Sequence, residues 1–193
     1  MKELVEIRWH GRGGQGAKTA ALLFADAALS SGKYVQAFPE YGPERMGAPV
    51  LSFNRLSAKP IFLHSGVTNP DIVIVLDPTL IDTVDVLEGM PEDGVLLINT
   101  DKAAEEVKRE LGLINAGMKV YTVDASTISK ETIGREIPNT PMLGALIKAT
   151  NILDFKEMLE NTKKKLEAKF KSKPEVIDGN IKAIERAYNE VKS

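Results

Sequence analysis

The chain predicts an α/β fold: a mostly parallel sheet with helices on both faces, a small hairpin insertion and a helical C-terminus. Three observations carry that expectation. The apolar run Val5 to Trp9 leads through Gly11-Arg12-Gly13-Gly14-Gln15-Gly16 into the alanine- and leucine-rich stretch from Ala17, an order of strand, glycine loop and helix. Strand-type runs then alternate with helical patterns, as successive parallel crossovers require. Asp71 to Leu76 is apolar without a break after its aspartate, the pattern of a strand buried on both faces. Together these make the expected fold Rossmann-like.

Each element has its own local reason. The helix from Ala17 to Ser31 is stopped by Gly32. Tyr34 to Phe38 reads as the second strand, and Pro39 to Pro49 as a loop too rich in glycine and proline for regular structure. Val50 to Arg55 and Ile61 to His64 flank Ser57-Ala58-Lys59-Pro60 and suggest a hairpin. Pro78 opens a short helix at its first turn, where a missing N–H is harmless. Val95 to Ile98 is the next strand, and a helix from about Asp101 to Leu111 follows, with Asp101 as its cap. Lys119 to Val123 is another strand. After Asp124 the pattern is helical, interrupted at Pro138, Pro141 and near Pro174. Lys163, Lys164 and Lys165 alternate in reach with Glu157, Glu160 and Glu167, which describes a solvated helix face.

Composition narrows the function. The 193 residues are 43% hydrophobic and 27% charged, ordinary for a soluble protein, and residues 1–193 read as a single domain. A formal net charge of -2 argues against nucleic-acid binding. There is no apolar stretch long enough to span a bilayer, and Met1 to Val5 lack a signal peptide's apolar core, so a cytoplasmic location is expected. The chain has no cysteine and only His10 and His64. A disulfide framework and a cysteine-ligated cluster are thereby excluded, and no metal site is expected.

The glycine loop is the main functional signal. Glycines expose peptide N–H groups and allow a sharp turn, and the following helix aims its unpaired N–H groups and positive dipole end at the same place. A phosphate or another anion is what such a place attracts. A tight, well-packed strand-to-helix turn would also account for the glycines. Dinucleotide binding would call for an acid at the end of the second strand, but Gln36-Ala37-Phe38-Pro39 stands there and Glu40 comes only after the proline. A Walker loop fails because no Gly-Lys-Ser/Thr follows. In a parallel sheet the Pro39 to Pro49 loop projects from the same edge. Its two acids, arginine and tyrosine suit a polar ligand or a partner. Asn139-Thr140 sits between Pro138 and Pro141, where Thr140 could cap a helix opened by Pro141. His10 ends the first strand beside the loop, and a satisfied strand-end histidine explains it. Glu92-Asp93-Gly94 is a turn. Nothing resembles a nucleophile elbow or a histidine–acid pair, so no catalytic residue is assigned to the chain.

Gly11 to Gly16, Ala37 to Arg45, Gly47 to Pro49, Asn69 to Asp71, Val123 to Ala125 and Asn139 to Gly144 occur in order along nearly the whole chain. Together they resemble the gamma subunit of 2-oxoacid:ferredoxin oxidoreductases, most of all the pyruvate:ferredoxin oxidoreductase (pyruvate synthase) branch. Met46 departs from the pattern, since many relatives have a second basic residue there. The resemblance implies a subunit without its own catalytic centre, inside an enzyme that converts pyruvate, coenzyme A and oxidised ferredoxin to acetyl-CoA, carbon dioxide and reduced ferredoxin. It implies alpha, beta and delta subunits as partners and ferredoxin as acceptor. Thiamine diphosphate, magnesium and [4Fe–4S] clusters are then held by those subunits, and this chain contacts coenzyme A. The expected contact residues are Gly11, Gly13, Gly14, Gln15 and Gly16, with Arg45 supplying charge or docking and Asn139 a hydrogen bond. An independent Rossmann-type oxidoreductase and a free-standing sensor or adaptor domain are the competing readings.

Overall fold

The computed structural model describes residues 2–40 and 46–193. Strand β1, Leu4–Arg12, lies inside the sheet because its alternate residues have apolar work on one face and buried polar work on the other. Ile7 and Trp9 point to one side, Arg8 and His10 to the other. Helix α1, Ala17–Ser30, follows the glycine loop. Then come β2 (Tyr34–Pro39), β3 (Pro49–Ser57), β4 (Ile72–Val75), β5 (Val95–Asn99), α2 (Ala104–Glu110) and β6 (Lys119–Val123). The remaining helices are α3 (Ala125–Ile133), α4 (Asn139–Thr150), α5 (Phe155–Lys169) and α6 (Pro174–Glu190).

The six strands are ordered β2-β3-β1-β4-β5-β6. Strands β1, β4, β5 and β6 are parallel, and β3 runs antiparallel to both β1 and β2. Strand β2 therefore points the same way as β1, and the loops leaving both strands share one edge. On one face Ile7, Trp9, Ile72, Ile74, Leu97 and Val123 pack with α1, α4 and α6. On the other, Val73, Val75, Leu96, Ile98 and Val120 pack with Ala104 and Val107 of α2 and with Val86. Trp9 is fully buried and donates its indole N–H to Asn54 Oδ1 at 2.8 Å, which removes the polar cost of placing an indole in the core.

Three local expectations are corrected. Ile61 to His64 forms no strand, so the hairpin partner of β3 is β2, with Tyr34 opposite Ser57 and Pro39 opposite Ser52. Pro60 cannot donate to a ladder. The segment is held across β2 and β3 as irregular chain: Gln36 Nε2 donates to the Leu63 carbonyl and the buried Arg55 to the Gly66 carbonyl. Helix α2 starts at Ala104, and Asp101 does not cap it. Ala103, with extended backbone, precedes the first turn instead, while Lys192 Nζ donates to the Asp101 carbonyl and Thr122 Oγ1 to the Lys102 carbonyl. Finally, α4 begins at Asn139 with Pro138 before it, so Thr140 and Pro141 lie inside the first turn and Thr140 is no cap.

Candidate site at the glycine loop

Strand β1 continues through Gly11 and Arg12, so the turn proper is Gly13 to Gly16. Gly11 is buried in the strand, where a Cβ would meet Leu76 and Ala17 at 3.2 and 3.3 Å. It is thus a packing residue. Gly14 and Gly16 have φ of 99° and 82°, backbone that other residues reach only with strain. Gly16 caps α1 in that left-handed conformation, no side chain caps the helix, and its first turn contains no acid. The amides of Ala17, Lys18 and Thr19 have no intrahelical acceptor, so the helix presents donors and a positive dipole end here.

The structure brings two more of the sequence-selected segments to this turn. Asn139, the first residue of α4, lies against Gly16: a Cβ there would stand 2.5 Å from Asn139 Nδ2. Its Oδ1 accepts from the Thr140 N–H at 2.7 Å and from Thr140 Oγ1 at 3.1 Å, which leaves the amide nitrogen on the Gly16 side. The end of the proline-rich loop returns to pair with the turn, Gly13 N–H donating to the Ala48 carbonyl at 2.9 Å and Gly47 N–H to the Gly13 carbonyl at 3.1 Å. Met46, 88% exposed, stands over Gly14. Arg45 and the rest of 41–45 lie outside the described residues.

At two of the expected contacts, polar groups are engaged within the chain. Gly13 spends its N–H on Ala48. Gln15 is folded into the turn, with Oε1 accepting from the Arg12 N–H at 2.8 Å and Nε2 donating to Asp77 Oδ2 at 2.7 Å. The geometry makes Gln15 a brace of the loop. Asp77, just beyond β4, also accepts from the Thr79 N–H at 3.0 Å and Thr79 Oγ1 at 2.6 Å, and pairs with Arg12 Nε at 3.2 Å. Arg12 reaches further, to Thr79 Oγ1 and the Gly47 carbonyl. Sequence reasoning passed over Arg12, Asp77 and Thr79. The available signal was Asp77-Pro78-Thr79 directly after the strongest strand, a capped turn beside the loop; Pro78 to Leu80 indeed forms one turn of 3-10 helix. Burial pushes the Asp77 carboxyl up, but the hydrogen bonds from Thr79 and Gln15 and the charge of Arg12 outweigh it, and the group stays ionised below the usual carboxylate range.

His10 takes no part. It is buried, its Nε2 accepts from Arg8 Nε at 2.9 Å, and desolvation with the nearby Arg8 charge lowers its pKa to about 4. Arg8 in turn donates to the Val86 and Glu88 carbonyls. Among the described residues no group of three or more His, Asp or Glu is placed to hold a metal ion. The site is one of backbone donors at the sheet's carboxyl edge, between β1 and β4 where the chain's crossovers diverge, the position at which open α/β sheets take ligands.

Residues 6–190 match the family model described as pyruvate ferredoxin/flavodoxin oxidoreductase. The chain belongs to this family. It is 50% identical to pyruvate synthase subunit PorC of Thermotoga maritima, over 99% of this chain and 96% of that protein. It is 45% identical to the pyruvate/ketoisovalerate oxidoreductases common subunit gamma of Thermococcus kodakarensis, over 96% of each. The crystal structure of the T. maritima pyruvate oxidoreductase subunit superposes with a TM-score of 0.84 over 99% of this chain and 98% of that one. The chain is therefore a gamma-type subunit of a pyruvate ferredoxin oxidoreductase, and the independent Rossmann-type enzyme is set aside. A 2-oxoglutarate:ferredoxin oxidoreductase from Magnetococcus marinus, solved with 2-oxoglutarate, coenzyme A and succinyl-CoA bound, has the same fold at 21% identity and a TM-score of 0.75. This chain covers 31% of that longer one.

Proposed function

We propose that this gamma subunit receives coenzyme A at the Gly13–Gly16 turn and presents it to a reaction centre carried by partner subunits. The observation that carries the reading is the uncapped head of α1 behind Gly14 and Gly16, with the Asn139 amide beside it. Coenzyme A is polyanionic at one end and rich in amides along its pantetheine arm. Peptide N–H groups and a helix terminus suit the first, and Asn139 suits the second. Arg45 adds a positive charge from the neighbouring loop in this reading. The coenzyme A-bound M. marinus structure is of an enzyme that contains this fold, which supports the choice of ligand.

The same reading makes alpha, beta and delta subunits the partners, ferredoxin the acceptor and the cytoplasm the location. Among the described residues no helix is long and apolar enough to cross a membrane. Residues of this chain do not fit the other groups of the enzyme. With no cysteine it offers no thiolates to an iron–sulfur cluster, and among the described residues no set of carboxylates is placed to hold a magnesium ion. Thiamine diphosphate and the clusters belong to the partners. The T. kodakarensis relative is named as common to a pyruvate and a ketoisovalerate enzyme, which supports placing the choice of 2-oxoacid outside this subunit.

The test is Gly14→Val in the purified multisubunit enzyme. A branched side chain at φ 99° under Met46 disturbs the turn while leaving the sheet alone. The KM for coenzyme A is expected to rise about tenfold or more with the KM for pyruvate unchanged. Equal damage to both substrates would assign the loop to assembly instead.

A further inference from the structure

We propose that Asp77 is the positioning residue of the glycine loop: it holds the turn in its ligand-accepting shape through Gln15 and Arg12, without touching the ligand. The inference rests on the coenzyme A reading above and assigns a role to a residue on a different strand. Asp77 divides its two oxygens between two tasks. Oδ1 accepts from the Thr79 N–H and hydroxyl and so shapes its own turn. Oδ2 accepts from Gln15 Nε2 and forms an ion pair with the Arg12 guanidinium, and both partners belong to the glycine loop.

Those two links act on the backbone. Gln15 passes the constraint on through Oε1 to the Arg12 N–H, closing the loop on itself. Arg12, fixed by Asp77 and Thr79, reaches the Gly47 carbonyl and ties in the neighbouring loop, whose Gly47 and Ala48 already pair with Gly13. Three chain segments at one sheet edge are thus joined at one carboxylate. Glycine-rich turns have many accessible conformations, and binding by bare amides requires one of them. The Asp77 charge is matched by Arg12, so it adds little repulsion towards an anion.

The chemistry allows a specific test. Asp77→Asn keeps the shape of the side chain but turns one acceptor into a donor. With the amide nitrogen on the Oδ2 side it faces Gln15 Nε2 and Arg12 Nε, and in the other orientation it faces the Thr79 N–H. Adding Gln15→Glu restores a donor–acceptor pair across the 2.7 Å contact and keeps an acceptor for the Arg12 N–H. In the purified complex, Asp77→Asn is expected to raise the KM for coenzyme A about tenfold, with kcat at saturating coenzyme A and the KM for pyruvate within about twofold of the parent. The double variant Asp77→Asn, Gln15→Glu is expected to recover most of that loss. A residue that only shapes its own turn would not be rescued from Gln15. A Gly14→Val variant is measured alongside. If it raises the KM for coenzyme A and Asp77→Asn does not, or if the double variant shows no recovery, the positioning role is wrong while the site stands. If Gly14→Val also leaves coenzyme A untouched, the site itself is misassigned and the inference falls with it.

Discussion

Gly16 and His10 show how single residues near the loop are committed. At Gly16 both the left-handed φ and the nearness of Asn139 Nδ2 oppose any side chain. Gly16→Ala is expected to cost about 2 kcal/mol, from backbone strain of about 1–2 kcal/mol plus displacement of Asn139. Urea denaturation against the parent protein reads this. His10 is committed to being neutral: its pKa is about 4 in the folded chain against an ordinary value of 6.5. The unfolded chain therefore binds a proton first as the pH falls. His10 costs nothing above about pH 6.5, removes stability between there and pH 4, and levels off below, a loss of roughly 3 kcal/mol in all. His10→Gln, which can still accept from Arg8, is expected to flatten that part of the stability–pH curve. An unchanged slope would mean that other groups dominate acid unfolding.

At the scale of elements, α4 decides how the site is closed from behind. Residues 139 to 147 are buried without interruption, so the helix is a core element whose first residue happens to face the glycine loop. Its Gly144 lets the backbone of α6 approach: a Cβ would collide with the Ile184 carbonyl and crowd the Tyr188 N–H. Gly144→Ala is expected to lower stability by about 3 kcal/mol, because a rigid backbone must move, and to weaken coenzyme A binding through the displaced Asn139. Paired thermal melting and coenzyme A titration would test it, and a stable variant with normal binding would sever the link between helix packing and site. The same scale shows what the sequence made legible. The strand–glycine–helix order, the continuous β4 and the helix break near Pro174 are local signals and are readable as such. The partner of β3 is not, because pairing is a long-range property that the run Val50 to Arg55 does not itself specify; β3 lies between β1 and β2. Asp77 was missed for a related reason. Its turn signal is local, but its role depends on Gln15 and Arg12 sitting opposite it across the β1–β4 pair, which only the parallel register reveals.

For the molecule as a whole, the order β2-β3-β1-β4-β5-β6 puts the ends of β1, β2 and β4 on one edge. That placement gathers the glycine turn, the end of the proline-rich loop and the Asp77 turn, while the start of α4 closes them from the helical layer. Side-chain chemistry there is sparse: a brace, an ion pair and one amide. In the proposed reading this surface binds and positions coenzyme A, and partner subunits supply the bond-making groups. Amide hydrogen exchange on the intact oxidoreductase measures that claim most directly. Coenzyme A is expected to slow exchange from Gly14 to Thr19, and pyruvate alone is not. Slowed exchange elsewhere in the complex with that stretch unchanged, under conditions where coenzyme A is bound, would contradict the account.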